Sequence, residues 1–214
     1  DLGNFKIKNL NNLLSVEENK LLNKYKNIVG IDEVGRGSIF GPVVACSVLL
    51  DEKFLSIELE KIKDSKKLSE KKRNYLVNQM IEKECTFGLG FVENKEIDDI
   101  NIKNASELAM KKSIQNINKN IDAALVDGIS KIPGIEIYQE SIISGDNKCK
   151  VIGAASIMAK FIRDFIIKKY DRIFPFYKLS QNAGYGTAEH VKGIKVYGKS
   201  FMHRKSFKIK LIDS

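Results

Sequence analysis

The chain has 214 residues, 43% hydrophobic and 29% charged, and its 36 Lys and Arg against 27 Asp and Glu give a formal net charge of +9. That supplies apolar material for one sizeable core, and the basic excess favours a polyanionic partner, because a cation that neutralises a phosphate releases a condensed counterion. Cys46, Cys85 and Cys149 form no Cys-x-x-Cys pair, which argues against structural zinc or a disulfide framework. No apolar run approaches the ~20 residues that span a bilayer, so a cytoplasmic protein with no membrane attachment is expected.

Residues 10–26 carry Leu10, Leu13, Leu14, Leu21 and Leu22 among Asn, Lys and Glu. This loose helical stripe is expected to lie on the outside of the core, within a helical N-terminal extension over 1–26. The β-branched stretch 27–31 and the apolar run 43–50 read as the two strands of a first hairpin, turned by Gly35, Gly37 and Gly41. Asp32 and Glu33 follow the first strand directly. Carboxylates at the end of a buried strand are costly without a compensating cation. Successive strand side chains point to opposite faces, so both acids reach one site only if the strand ends, twists or bulges there.

Further along, the loop Asp64-Ser65-Lys66-Lys67-Leu68 leads to Ser69, an N-cap for a helix in which Leu76, Val77, Met80 and Ile81 recur at helical spacing. Residues 86–92 read as a strand, and 107–117 as a helix with Leu108, Met110, Ile114 and Ile117 turned to the core. A short buried strand, 123–126, stops at Asp127-Gly128. From 151 to 170, Ile152, Ala155, Ile157, Phe161, Ile162, Phe165 and Ile166 define a long amphipathic helix whose polar face carries Lys160, Arg163 and Asp164. Thr187 caps a last helix over 188–191. No repeat or linker interrupts this order, so one domain over 1–214 is expected, with a tail at 208–214. Strands interleaved with helices after an early hairpin point to an α/β fold with a mixed central sheet flanked by helices.

The chemistry-bearing residues are mostly acids beside glycine. Asp127 ends a buried strand as Asp32 does, and strand ends along one edge of a sheet are natural points of convergence. Oxygen ligands of this kind suit hard divalent ions such as Mg²⁺ and Mn²⁺. Taken alone, Asp127-Gly128 is an ordinary turn and Asp146, in Gly-Asp-Asn-Lys, a surface turn. The glycine-rich turn lacks the Gly-Lys-Ser/Thr of a P-loop, and acids precede it, which excludes a nucleotide-binding loop. His190 and His203 stand too far apart in sequence to suggest a chelating pair, and neither is assigned to metal.

Asp32 to Gly37 followed by Gly41-Pro42-Val43-Val44 resembles the opening signature of bacterial ribonuclease HII. The likeness continues in order through 64–68, Asp127-Gly128, Gly145-Asp146, the 154–160 run, Gly184-Tyr185 and His203 to Phe207. Arg36 stands between the two glycines where the type HIII enzymes usually have lysine. The resemblance implies a ribonuclease H-like fold and a monomeric endonuclease that cuts the phosphodiester 5′ to a ribonucleotide in duplex DNA and degrades RNA in RNA:DNA hybrids, leaving 3′-hydroxyl and 5′-phosphate ends. It implies that Asp32, Glu33, Asp127 and Asp146 are the catalytic, metal-holding set, with two Mn²⁺ or Mg²⁺ ions when substrate is bound. It further implies that Gly35, Arg36, Gly37 and Tyr185 clasp the ribonucleotide, while Lys66, Lys67, Lys160 and Arg204 contact the nucleic-acid backbone. Two positions depart from the family's pattern: Asn182-Ala183 replaces a common His-Lys, and Ser38 replaces a frequent proline.

The charge balance gives a first prediction. Affinity for duplex falls steeply with salt, and replacing Lys66 or Lys160 by Ala flattens a plot of log affinity against log salt by about one counterion if the residue meets a phosphate. A titration at several ionic strengths reads the slope, and an unchanged slope assigns the lysine to solvent.

Overall fold

The computed structural model describes residues 12–62 and 68–209. In chain order the elements are α1 (Val16–Leu22), β1 (Ile28–Val34), β2 (Val43–Leu49), α2 (Glu52–Leu55), α3 (Glu70–Glu82), β3 (Phe87–Val92), α4 (Asn94–Gln115), β4 (Ala123–Asp127), β5 (Tyr138–Ile142), α5 (Gly145–Lys148), α6 (Lys150–Asp171), α7 (Leu179–Asn182) and α8 (Ala188–Tyr197).

The strands form one mixed sheet in the order β3-β2-β1-β4-β5. β1 pairs antiparallel with β2 and β2 with β3, as the early hairpin requires, whereas β4 runs parallel to β1 and β5 parallel to β4. Alternation along the strands sorts side chains between two cores. Ile28, Cys46, Val48, Ala123 and Leu125 face α6, with α3 and α1 completing that side. Val29, Ile31, Val43, Ala45, Ala124 and Val126 face α4. The helix α6 comes so close to β1 that a Cβ on Gly30 would collide with Val151, which is why glycine occupies that strand position. A third cluster, built on Phe40, Ile167, Tyr177, Leu179 and Val191, fastens the C-terminal third to the far end of α6.

Several local expectations hold. Ser69 caps α3 by accepting the Lys72 N–H, and Thr187 caps α8 by accepting the His190 N–H. Others do not. Ile81 and Phe165, assigned to apolar faces, are exposed, and Arg163, placed on the polar face of α6, is fully buried. The helix α4 begins at Asn94 rather than at 107. It is broken at Asn101, where φ is 68° and the side chain accepts the N–H groups of Lys103 and Asn104 as a second cap. Strand β5 lacks an apolar signature because it is a sheet edge, where only Gln139 and Ile142 are buried.

Helix α1 is shorter than its leucine stripe suggested, and the segment enters the core instead of lying outside it: Leu14, just before the helix, and Leu21 join the cluster beneath α6. Ser15 and Glu18 form a reciprocal capping box. The Glu18 carboxylate, itself buried, also accepts the Val151 N–H at 2.8 Å. The N-cap residue of α6, Cys149, makes no side-chain cap, so Glu18 from 133 positions away satisfies a donor in that helix's first turn. Glu18→Ala should therefore lower unfolding stability by about 2 kcal/mol, or roughly 4–8 °C in Tm, through the unpaired buried N–H. Glu18→Gln, which keeps an acceptor, should cost less. Thermal unfolding of both variants checks the order.

Candidate active site

The parallel ladder between β1 and β4 ends at Ile31 and Val126. One residue beyond on each strand stand Asp32 and Asp127, which the strand alternation turns to the α6 side. The β1–β2 ladder continues through Glu33 and Val34 without a bulge, so the strand neither ends nor breaks at the acids as expected. What changes is its neighbour. Past Ile31, β4 no longer covers the lateral edge of β1, and a cavity of about 390 Å³ opens there. Asp32, Glu33 and Asp127 all border it, with Gly35, Arg36, Gly37, Arg73, Ser156, Lys160 and Tyr185.

Each acid has a distinct local setting. Asp32 is buried and its Oδ1 accepts the Glu33 N–H at 2.7 Å. The Glu33 side chain is only 7% exposed and pairs with the exposed Arg36 guanidinium at 3.2 Å. Burial pushes the Glu33 carboxyl above the usual carboxylate range, Arg36 opposes that rise, and the nearby Asp127 charge adds to it. Asp127 Oδ1 accepts the Gly145 N–H at 2.7 Å, tying the end of β4 to the start of α5. Asp146, in the first turn of α5, is thereby held beside Asp127, but it is buried outside the residues that border the cavity.

Among the described residues no three His, Cys, Asp or Glu side chains are already gathered as a metal-binding group. The donor chemistry nevertheless fits a hard divalent ion: carboxylate oxygens only, two of them on adjacent parallel strands, with Glu33 destabilised as an anion by its surroundings.

The Gly35–Gly37 segment and Tyr185 form another part of the cavity wall. Gly35 has φ +96°, and a Cβ there would run into the Arg163 guanidinium, so the position requires glycine twice over. Arg163 donates to the carbonyls of Pro42 (3.0 Å), Ala183 (2.8 Å) and Phe40 (3.0 Å). Arg204, expected at a phosphate, is instead 1% exposed and donates to the carbonyls of Gly41 and Arg36, both at 3.0 Å. Burial, reinforced by the neighbouring Arg163 charge, pushes its guanidinium down to about 9. Both departures from the family pattern serve this wall. Ser38 donates to the Gly184 carbonyl at 2.8 Å, and Asn182 accepts the Gly184 N–H at 2.8 Å, so each braces the turn that presents Tyr185. Tyr185 is 38% exposed, and a Cβ on Gly37 would sit 3.6 Å from its ring.

Lys160 borders the cavity but is paired with Asp164 at 2.6 Å. Arg73, which sequence reasoning did not single out, reaches the cavity from α3 and shares Asp164 at 3.1 Å. Lys66 and Lys67 lie outside the described residues.

A family model described as Ribonuclease HII matches residues 29–210. The chain belongs to the ribonuclease HII family. It is 42% identical to Ribonuclease HII of Caldicellulosiruptor saccharolyticus, over 92% of this chain and 94% of the relative. Ribonuclease H2 from Pyrococcus horikoshii OT3 superposes with a TM-score of 0.71 at 25% identity, covering 86% of this chain and 94% of that one. A ribonuclease HIII described as Bst-RNase HIII, solved in complex with Mn²⁺, shares the fold with a TM-score of 0.64 at 16% identity, over 80% of this chain and 63% of that one. Family membership makes the chain a type 2 ribonuclease H, an endoribonuclease acting on RNA:DNA hybrids, in a family that depends on divalent metal. Its fold is ribonuclease H-like. No described helix is long and apolar enough to cross a membrane.

His190 and His203, separated in sequence and assigned no joint role, lie with their Nε2 atoms 3.1 Å apart. The rings of Phe40 and Tyr177 pack on both. Burial lowers His190, and burial with the His190 charge lowers His203 to about 4. An unfolded chain takes up a proton near pH 6.5 that native His203 refuses until about 4, so this residue's contribution to stability is full above 6.5 and is lost as pH falls between the two. Urea unfolding across that range should show a shallower decline in His203→Gln than in the parent.

Proposed function

We propose that the chain cuts the phosphodiester on the 5′ side of a ribonucleotide embedded in duplex DNA, as well as RNA in hybrids, leaving 3′-hydroxyl and 5′-phosphate ends. The supporting observation is one cavity lined by Asp32, Glu33 and Asp127 together with Gly35-Arg36-Gly37 and Tyr185. The acids sit where a scissile phosphate would lie, and the glycine segment with the tyrosine sits where the adjoining sugar would.

In this reading Asp32, Glu33, Asp127 and Asp146 hold Mg²⁺ or Mn²⁺, two ions with substrate present. Held there, such ions would supply activation of water near neutral pH and compensation of the negative charge that builds up on phosphate. The chain's residues do the rest. Gly37 permits close backbone approach, and Arg36, freed from Glu33, offers its guanidinium to a phosphate oxygen. Tyr185 lays its ring against the sugar and its hydroxyl near the 2′-oxygen, the group that separates RNA from DNA. Lys160 and Arg73, on the α6 and α3 side, meet the flanking backbone. The enzyme acts as one catalytic domain and a cytoplasmic monomer, which three free, buried cysteines suit.

The deciding experiment is incision of a DNA duplex bearing one ribonucleotide, beside an all-DNA duplex and an RNA:DNA hybrid, with Mg²⁺ and with Mn²⁺. Cleavage of both ribose-containing substrates, and not of DNA, is expected. Failure of folded protein to cut the one-ribonucleotide duplex with either ion rejects the reading. Asp127→Asn keeps an oxygen for the Gly145 N–H and should preserve the melting temperature while lowering turnover by about a hundredfold or more. Tyr185→Ala should slow single-turnover cleavage of the one-ribonucleotide duplex more than Tyr185→Phe, which keeps the ring and loses only the hydroxyl.

A further inference from the structure

The His190–His203 contact admits one arrangement of protons. The Ser200 N–H donates to His203 Nδ1 at 2.9 Å, so that nitrogen is an acceptor and the ring proton sits on Nε2. His190 Nδ1 lies 3.0 Å from the Tyr185 carbonyl, which only accepts, so Nδ1 carries the His190 proton and its Nε2 is free to accept. The 3.1 Å contact is then His203 Nε2–H donating to His190 Nε2. All three links run in one direction, from Ser200 through both rings to the backbone of Tyr185. They hold only while both imidazoles are neutral, a state that burial among Phe40 and Tyr177 favours by lowering both groups.

We infer that His190 and His203 are positioning residues for ribonucleotide recognition: a directional imidazole relay that fixes the backbone of Tyr185 and so sets its ring over Gly37 at the cavity. The inference rests on the reading of Tyr185 as the residue that meets the ribose. Tyr185 needs such a tether because its turn is irregular. It follows Ala183 and Gly184, both at positive φ, and its own N–H reaches back to the Asn182 carbonyl. The Tyr185 carbonyl also takes the Thr187 N–H at 2.8 Å, but that bond closes a local turn, whereas the relay ties the turn to a segment near the C-terminus. That segment is registered against the glycine-rich wall itself through the Phe40–His203 bridge and the Arg204 N–H to Ile39 carbonyl bond. The two sides of the ribose pocket are thus held at a fixed separation by the same chain segment.

Two measurements on the whole protein test this. A long-range proton–nitrogen correlation spectrum should show His190 as the Nδ1–H tautomer and His203 as the Nε2–H tautomer at neutral pH; the opposite tautomer at either ring overturns the relay. Single-turnover cleavage of the one-ribonucleotide duplex then tests its purpose. His190→Ala should slow it about five- to tenfold, the worth of one lost positioning hydrogen bond, and His190→Asn, whose amide N–H takes the place of Nδ1–H, should recover most of the rate. In a Tyr185→Ala background His190→Ala should have no further effect. Losses that multiply in the double variant, or a His190→Ala enzyme as fast as the parent, overturn the positioning role. If Tyr185→Ala alone matches the parent, the ribose-reading role of Tyr185 fails, and the positioning inference is overturned with it even where the tautomers stand.

Discussion

Two buried guanidinium groups hold the glycine-rich wall in place, and the rest of the site depends on them. The segment from Gly35 to Pro42 leaves the sheet, so most of its carbonyls lack ladder partners, yet from Ser38 to Pro42 it is buried against the ring cluster around Phe40. Buried carbonyls without donors are costly. A guanidinium presents several donors in a rigid fork, and Arg163 from α6 with Arg204 from the C-terminal segment supply the carbonyls of Arg36, Phe40, Gly41 and Pro42. The opposing cost is two like charges in one interior: burial first, and the Arg163 charge second, depress the proton affinity of Arg204. The return is a wall whose shape does not depend on its own weak conformational preferences.

The acid-bearing part of the cavity is set by a difference in strand length. β1 extends to Val34 while β4 stops at Asp127, and the uncovered edge lets adjacent residues of β1 border one space although they alternate between faces. The acids are therefore rigidly based on the sheet, while the groups around them are not alike in charge. Arg36, Lys160 and Arg73 stand at the rim, each engaged with a carboxylate, so the cavity is a patchwork of opposed charges within a chain of net +9. Long-range attraction draws in a polyanion, and local ion pairs must be exchanged before it can settle.

The backbone framework was legible in the sequence because local chemistry decides it. The β-branched run into Asp32, the apolar run at 43–50, the caps at Ser69 and Thr187 and the Asp127-Gly128 stop each declare an element without help from the rest of the chain. Residues 94–106 were not legible, since the first part of α4 is mostly polar and depends on Asn101 to restart it. Nor was β5, a polar edge. Within the site, the acids and the Gly-Arg-Gly segment stand out by type and spacing. The roles of Arg163, Arg204 and the histidine pair do not, because a long polar side chain reads the same whether it meets water or a carbonyl 120 residues distant. Tertiary partners alone decide that, and they reversed the expectation for both arginines.

The order in which the pieces occur along the chain has a consequence for what makes each of them rigid. The acids, both strands that carry them and α6 are complete by residue 171, and they make up the sheet and its covering helix. The glycine-rich wall gains its second guanidinium at residue 204 and its last imidazole at residue 203. The sheet that carries Asp32, Glu33 and Asp127 is therefore complete in sequence well before Arg204, which braces the Gly35–Pro42 segment from 163 and 168 positions away. The acid-bearing strands and the segment beside them thus draw their rigidity from distant parts of the sequence, the one from sheet pairing and the other from two arginines.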